Sequence, residues 1–149
     1  MLQKVILYIA ILVLFITGEP TSVHYGSDIS SHFIFHFYHA NIWHLLANAS
    51  CVYAMKKIRW IEAYLIAVLC SFAIVNPTVG LSGVLFAAIG INIGKNSYTK
   101  GLVRCSLSAL IFGLLPNVSL LFHLSTLLIG YCYGWIVETW RLYRRCKFA

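Results

Sequence analysis

The sequence predicts an all-α, polytopic membrane protein in which six helices cross the bilayer. Three observations lead to this fold class. Hydrophobic residues make up 60% of the 149-residue chain and charged residues only 10%, whereas soluble domains average ~45–50% apolar and ~25% charged residues. Apolar runs of 13 to 23 residues recur along the chain. The lysines and arginines lie only at alternate boundaries between those runs.

Six apolar runs, each ended by charged residues, proline, glycine or asparagine, are the candidate spans. They cover residues 5–17, 33–55, 61–75, 82–94, 102–115 and 120–140. No alternation of apolar and polar residues in the sequence indicates a strand. Residues 1–149 are therefore expected to form a single six-helix membrane domain. The first run could instead be a signal peptide, but no small-residue cleavage site follows it.

The 11 basic residues predict the topology of these spans. One precedes the first run, and the others lie between the second and third runs, at the boundary between the fourth and fifth, where Arg104 is the third residue of the fifth run, and after the sixth. The remaining three connections contain none. Because basic residues concentrate on the cytoplasmic side, both termini are expected in the cytoplasm. The expected location is a bacterial cytoplasmic membrane. The net charge of +7 then reflects topology, and no nucleic-acid partner is predicted.

Several polar residues fall inside the apolar runs, where they are costly and usually mark function. His44 and Asn48 are four residues apart, so they share one helix face. Ser82 opens the fourth run, and His123 lies near the start of the sixth. The second run enters from the outside, and the fourth and sixth begin there. These four side chains are therefore expected at a similar depth below the outer surface.

The fourth run is too short to cross the whole bilayer. Its 13 residues, 82–94, rise ~20 Å as a helix, whereas the hydrocarbon core is ~30 Å thick. Because its inner end meets Lys95, its outer end must begin below the surface, and residues 76–80 must dip into the protein. Such backbone is tolerated at that depth only when it is buried or lines a cavity. In the first outer connection, His24 and His32 are expected to be solvated or interfacial loop residues.

The residue types at this depth suit acyl transfer. A serine becomes a nucleophile when an imidazole accepts its proton, which assigns these roles to Ser82 and His123. The free N–H groups at the start of a helix, with His44 and Asn48, could stabilise an oxyanion. No carboxylate accompanies His123, so the pair would be a dyad. Small residues would allow the two helices to approach closely: Gly83, Ala87, Gly90 and Gly94 in the fourth run, and Gly130 and Gly134 in the sixth.

Three short motifs occur in a fixed order along the chain. Residues 39–48 read HANIWHLLAN, residues 80–83 read GLSG, and His123 is followed by Gly130. With these motifs the chain resembles the rhomboid family of intramembrane serine proteases, whose patterns are HxxxxHxxxN, GxSG and a sixth-helix histidine. The resemblance covers nearly the whole chain. It implies a six-helix rhomboid-like bundle with a short fourth helix and a serine-type endopeptidase activity.

The resemblance also implies a role for each matching residue. Ser82 would be the nucleophile and His123 the general base, with His44, Asn48 and the Ser82 N–H forming the oxyanion hole. The supporting positions are His39, Gly80, Gly83, Phe86 and Gly130. Phe86 stands where the family often has a tyrosine, and Thr126 stands where a glycine is common. The implied substrates are single-pass membrane proteins that enter from the bilayer and are cut near their outer ends, without metal or cofactor.

Three alternatives stay open at this stage. A catalytically inactive rhomboid-like protein would bind membrane helices without cutting them, although such relatives typically lack the serine or the histidine. A haem or metal protein could use several histidines, but the chain has neither HExxH nor zinc-type spacing, and on one helix His39 and His44 would point about 140° apart. A small transporter is a third alternative, although no inverted repeat is evident. The oligomeric state is not predicted.

Overall fold

The computed structural model describes residues 2–17, 22–55, 58–96, 104, 107 and 119–147. All named elements within these residues are helical: α1 (Leu2–Thr17), α2 (Ile29–Ile34), a 3₁₀ helix (Phe35–Phe37), α3 (Ile42–Ala54), α4 (Trp60–Ser71), α5 (Ser82–Lys95) and α6 (Leu120–Lys147). The predicted all-α class is therefore confirmed. The fifth predicted span, residues 102–115, lies outside the described residues except for positions 104 and 107.

Helix α6 is the longest element, with 28 residues. Among the described residues it alone has the length and hydropathy to cross a membrane, and α4 and α5 are shorter apolar helices. Its length of ~42 Å exceeds the ~30 Å hydrocarbon core. The helix continues seven residues past the predicted end at Trp140, because residues 141–147 contain neither proline nor glycine to end it.

The predicted second span, residues 33–55, is not one helix. Helix α2 ends at Ile34, the 3₁₀ helix follows, and α3 begins only at Ile42. The break occurs because Asn41 is extended (φ −163°, ψ 172°) and its side-chain oxygen accepts a hydrogen bond from the His44 N–H, which makes it the N-cap. His39 thus precedes the helix, so the expectation that it points away from His44 is wrong: the two rings lie 5.1 Å apart.

Among the described residues, the closest packing between helices is that of α5 against α6, whose backbones touch at four glycines. A Cβ on Gly90 or Gly94 would lie 2.2 Å from a backbone oxygen of α6. A Cβ on Gly130 or Gly134 would lie 2.4 or 2.3 Å from a backbone oxygen of α5. These separations are too short for any real Cβ. The two stripes of small residues singled out in the sequence therefore face each other directly.

Thr126 lies on α6 one turn before Gly130, at the position for which the resemblance favours a glycine. Its side chain is fully buried, and its hydroxyl donates a 3.0 Å hydrogen bond to the His123 carbonyl. A buried hydroxyl without a partner would be costly. Because the partner lies one turn back on its own helix, threonine fits here without separating α5 from α6.

Residues 22–28, which precede α2, pack against the segment that leads into α5. Val23 and Thr78 form an antiparallel bridge, with N–H to carbonyl distances of 2.8 and 3.0 Å. The Tyr25 N–H donates to the Ile74 carbonyl at 2.7 Å. These backbone hydrogen bonds hold residues 74–78 in place, although this segment lies between α4 and α5 and belongs to neither helix.

His32 is not solvated, so that expectation is wrong. It lies on α2 rather than in a loop, is 1% exposed, and stacks on Phe72 at 4.0 Å. Its Nδ1 lies 2.8 Å from the Ser71 hydroxyl oxygen. Because that hydroxyl donates to the Val68 carbonyl at 2.6 Å, His32 Nδ1 is the donor to Ser71. His24 remains half-buried in the loop and contacts Ser27 at 3.0 Å.

The contact between α5 and α6 predicts an unusual response to glycine replacement. Alanine normally stabilises a helix by about 1 kcal/mol relative to glycine. Gly130→Ala should instead lower the free energy of unfolding by about 1–3 kcal/mol, because the new methyl group meets backbone rather than an adjustable side chain. Denaturant unfolding of the purified protein in detergent measures this. The control is Ile129→Ala at the neighbouring, 40% exposed position. A Gly130→Ala protein as stable as the parent would contradict the close contact.

Candidate active site

Ser82 and His123 meet at the starts of two helices. Ser82 is the first residue of α5, and His123 lies in the first turn of α6. The Ser82 hydroxyl oxygen is 2.8 Å from His123 Nε2, although the two residues are 41 positions apart. His123 is only 5% exposed, whereas Ser82 is half-buried. The structure therefore brings the predicted nucleophile within hydrogen-bonding distance of the predicted base.

A backbone carbonyl sets the protonation of the His123 ring. His123 Nδ1 lies 2.7 Å from the Ser119 carbonyl oxygen, which also accepts the His123 backbone N–H at 3.1 Å. Because a carbonyl can only accept, Nδ1 must carry a proton. In the neutral ring Nε2 then has the lone pair that accepts the Ser82 hydroxyl proton. The sequence analysis missed Ser119, although its position four residues before His123 could have indicated it.

Aromatic rings fix the position of the histidine. The Phe86 ring, one turn after Ser82, meets the His123 ring edge-on, with centroids 4.9 Å apart and planes at 69°. The Phe122 ring lies directly over Gly83, where a Cβ would come within 2.2 Å of a ring carbon. Gly83 is thus required for Phe122 to pack beside the site. Phe86 provides the aromatic contact without a hydroxyl.

Gly80 allows the chain to pass against the His44 ring just before Ser82. Its φ of +110° is a conformation that other residues rarely adopt. A Cβ at this position would lie 2.5 Å from the His44 ring carbon Cε1. The Gly80 N–H donates to the Phe35 carbonyl at 3.1 Å. The loop into α5 is therefore held between His44 and the 3₁₀ helix.

Two further predicted residues supply buried nitrogen atoms with no partner in the described part of the chain. Asn48 Nδ2 is one of them, and its side chain is only 6% exposed. His39 Nε2 is the other, while His39 Nδ1 lies 3.1 Å from the Phe37 carbonyl. A buried polar group left unpaired costs about 1–3 kcal/mol. Such groups need a specific explanation, for example a ligand that they bind.

His36 is a further buried histidine, and in the haem or metal alternative it is one of the candidate ligands. It is fully buried, and its ring lies near the Gly80 backbone, although within the described residues neither ring nitrogen meets the geometry of a full hydrogen bond. Its ring packs on Phe35 at 3.8 Å and meets the edge of Tyr64 at 5.5 Å. In the described part of the chain, no group of three or more His, Cys, Asp or Glu side chains is placed to hold a metal ion.

Comparison of the chain with protein-family models, curated proteins and solved structures finds no match. The functional interpretation therefore depends on the residues and geometry of this chain. Five of the predicted positions lie in direct contact around the serine: Ser82 with His123, Gly80 with His44, and Phe86 with His123. Gly130 lies farther along α6 and supports the site through the backbone of α5.

The Ser119 carbonyl predicts one tautomer for His123. When the ring is neutral, the proton should reside on Nδ1 and Nε2 should be unprotonated, because only that form satisfies both neighbours. Nitrogen NMR of protein carrying ¹⁵N-labelled histidine distinguishes the two tautomers. His123→Gln identifies which of the six histidines gives the signal. A His123 ring protonated at Nε2 would contradict the hydrogen-bond assignment.

Proposed function

We propose that this chain is an intramembrane serine endopeptidase of the rhomboid type, with Ser82 as nucleophile and His123 as general base. The observation that carries the proposal is the 2.8 Å contact between the Ser82 hydroxyl and His123 Nε2. A serine hydroxyl beside an oriented, unprotonated imidazole nitrogen is the arrangement that nucleophilic catalysis requires. One of the two helices that hold this pair can cross a membrane by length and hydropathy.

The proposal includes a single domain of six spans with both termini in the cytoplasm. Its support is the group of charged residues near the end of α5 opposite Ser82. Lys95 ends α5 within electrostatic range of Arg59 and Glu62 near the start of α4 and of Glu138 and Arg141 on α6, and the Arg59 guanidinium lies 5.9 Å from the centre of the Tyr133 ring on α6. Charged residues of three helix regions thus share one level, which suits the cytoplasmic boundary. The 14 residues of α5 place Ser82 ~20 Å from that level.

In the first chemical step, the Ser82 oxygen attacks the carbonyl carbon of the scissile peptide bond. The hydroxyl proton moves to His123 Nε2, and the imidazolium is stabilised through Nδ1–H by the Ser119 carbonyl. Negative charge develops on the substrate oxygen. The donors proposed to bind it are the Ser82 backbone N–H, Asn48 Nδ2 and a ring N–H of His44. This use gives the unpaired Asn48 amide a partner in the transition state.

The tetrahedral intermediate collapses when the C–N bond breaks. His123 Nε2–H donates its proton to the leaving amine, which leaves an ester between the substrate carbonyl and Ser82. Water then attacks the ester, with its proton passing to Nε2 and returning to the Ser82 oxygen as the second product leaves. The protons balance within the dyad, so these steps require neither a metal nor a cofactor.

The substrate class follows from the depth of the site. Ser82 starts a helix shorter than the bilayer core, so its hydroxyl lies below the outer surface in the proposed topology. A peptide bond at that depth belongs to a membrane-spanning segment, near the outer end. Its carbonyl must be released from helical hydrogen bonding before attack. Single-pass membrane proteins are therefore the proposed substrates, and the bilayer is the medium through which they arrive.

Cleavage of a tagged single-pass substrate in proteoliposomes tests the proposal. We expect Ser82→Ala and His123→Ala each to reduce the cleavage rate at least about a thousandfold, because the pair acts as one unit. Ser125→Ala is the matched serine control, since its hydroxyl donates to the Phe122 carbonyl on its own helix and interacts with the Cys70 thiol on α4. His24→Ala is the matched histidine control in the outer connection.

The same assay separates the proposal from the inactive alternative. Cleavage that survives Ser82→Ala would reject the assigned nucleophile. A folded parent protein that binds such substrates but cuts none would favour the alternative of a catalytically inactive rhomboid-like protein. Circular dichroism of each variant establishes that a lost rate reflects chemistry rather than unfolding.

A further inference from the structure

Helix α6 continues well beyond the end of its partner α5. Gly94, near the end of α5, lies against α6 at Trp135, where a Cβ would come within 2.8 Å of the Trp135 nitrogen. Helix α5 stops at Lys95, whereas α6 runs on to Lys147. The twelve residues after Trp135 add ~18 Å of helix. We call residues 135–147 the α6 extension.

One face of the α6 extension is aromatic and apolar. A shallow cavity of about 350 Å³ is lined by Trp135, Ile136, Thr139, Trp140 and Tyr143. Trp140 and Tyr143 are 55% and 56% exposed, and their rings stack with centroids 5.8 Å apart. Exposed aromatic side chains at the end of a membrane helix suit the interface between hydrocarbon and headgroups.

Cationic side chains border this aromatic face. The Arg144 guanidinium lies 5.2 Å from the centre of the Trp140 ring, a cation–π contact that holds it at the edge of the cavity. Arg141 pairs with Glu138 at 3.4 Å. Glu138 is the only carboxylate in residues 135–149, which contain four basic residues. The extension therefore carries excess positive charge directly beside an apolar surface.

The position of the extension along the membrane normal follows from the charges at its start. The Arg59 guanidinium, just before α4, lies 5.9 Å from the centre of the Tyr133 ring on α6, and Lys95 follows Gly94, which lies against Trp135. In the proposed topology these charged groups end the apolar part of the bundle, and Arg144 lies less than two helical turns beyond Glu138. That level is where phospholipid phosphates lie.

We propose that the α6 extension is a binding site for an anionic phospholipid. The acyl chain lies against the Trp135–Trp140 face, and the phosphate is bound by Arg144 beside Trp140, with Arg141 adjacent. Charge complementarity selects the anionic lipid, since a zwitterionic headgroup would add its own cation to the cluster. The proposal depends on α6 crossing a membrane and is independent of the chemistry at Ser82.

Brominated lipids test this site in the full-length protein, because bromine quenches tryptophan fluorescence on contact. One variant keeps only Trp140, and a second keeps only Trp43, which is 76% exposed at the start of α3. Phenylalanine replaces the other three tryptophans in each variant, so that position 135 keeps an aromatic ring on the proposed lipid-binding face. Each is reconstituted in vesicles of phosphatidylcholine and phosphatidylglycerol, with one or the other lipid brominated. We expect Trp140 to prefer phosphatidylglycerol at least about fivefold. Trp43 should show no preference.

Two substitutions of equal charge separate a site from general surface charge. Arg144→Gln should lower the preference at Trp140 about fivefold, the effect of one cation near the surface. Arg145→Gln, on the other side of the helix from Trp140, should change it less than about twofold. Equal effects of the two substitutions would overturn the proposed site. Circular dichroism checks that the variants fold.

A salt titration of the variant that keeps only Trp140 tests the electrostatic part of the lipid preference without any arginine substitution. The preference for phosphatidylglycerol should fall as the salt concentration rises, because the selecting contact is electrostatic. A preference independent of salt, or equal quenching by both brominated lipids, would overturn the proposal. If neither brominated lipid quenches the fluorescence of Trp140, protein covers this face, and that result would also overturn the proposal. The cleavage assay is unaffected by these outcomes, so the two proposals fail separately.

Discussion

The direct backbone contact between α5 and α6 is the constraint on which the rest of the structure depends. Ser82 and His123 begin these two helices, so the distance between their side chains is set by how closely the helix axes approach. At four glycines in this contact the absence of a Cβ lets the two backbones touch. In a bilayer, where burial of apolar surface gives no driving force between helices, such close packing is a main source of association. Stability and the geometry of the serine–histidine pair thus depend on the same residues.

The second feature of the site is the use of a backbone carbonyl where soluble serine proteases use a carboxylate. An ionised carboxylate is expensive to bury, and the cost is a particular problem at membrane depth. The Ser119 carbonyl is already present at the start of α6 and orients the His123 ring without an added charge. A neutral carbonyl stabilises an imidazolium less than a carboxylate does. In the proposed mechanism, the exclusion of water strengthens this hydrogen bond and the oxyanion contacts.

Much of the local structure could be predicted from the sequence, because charges and helix-breaking residues mark the ends of apolar runs. The starts of α5 and α6 are at the predicted residues, and α4 begins one residue before its predicted start. The break before α3 was missed because Asn41 caps the helix inside an apolar run. The Ser71–His32 and Ser119–His123 contacts were also missed, since hydropathy carries no information about individual hydrogen bonds. The six-span topology and the catalytic roles remain proposals.

Reaction of the folded protein with a fluorophosphonate, followed by mass-spectrometric mapping of the modified residue, tests the central claim most directly. The reagent forms a stable bond only with a serine whose hydroxyl is activated and whose oxyanion site can hold a phosphoryl oxygen. We predict modification at Ser82 alone, and its loss when His123 is replaced by alanine. Modification of another serine, or an unreactive Ser82 in protein whose α5–α6 contact is intact, would contradict the account.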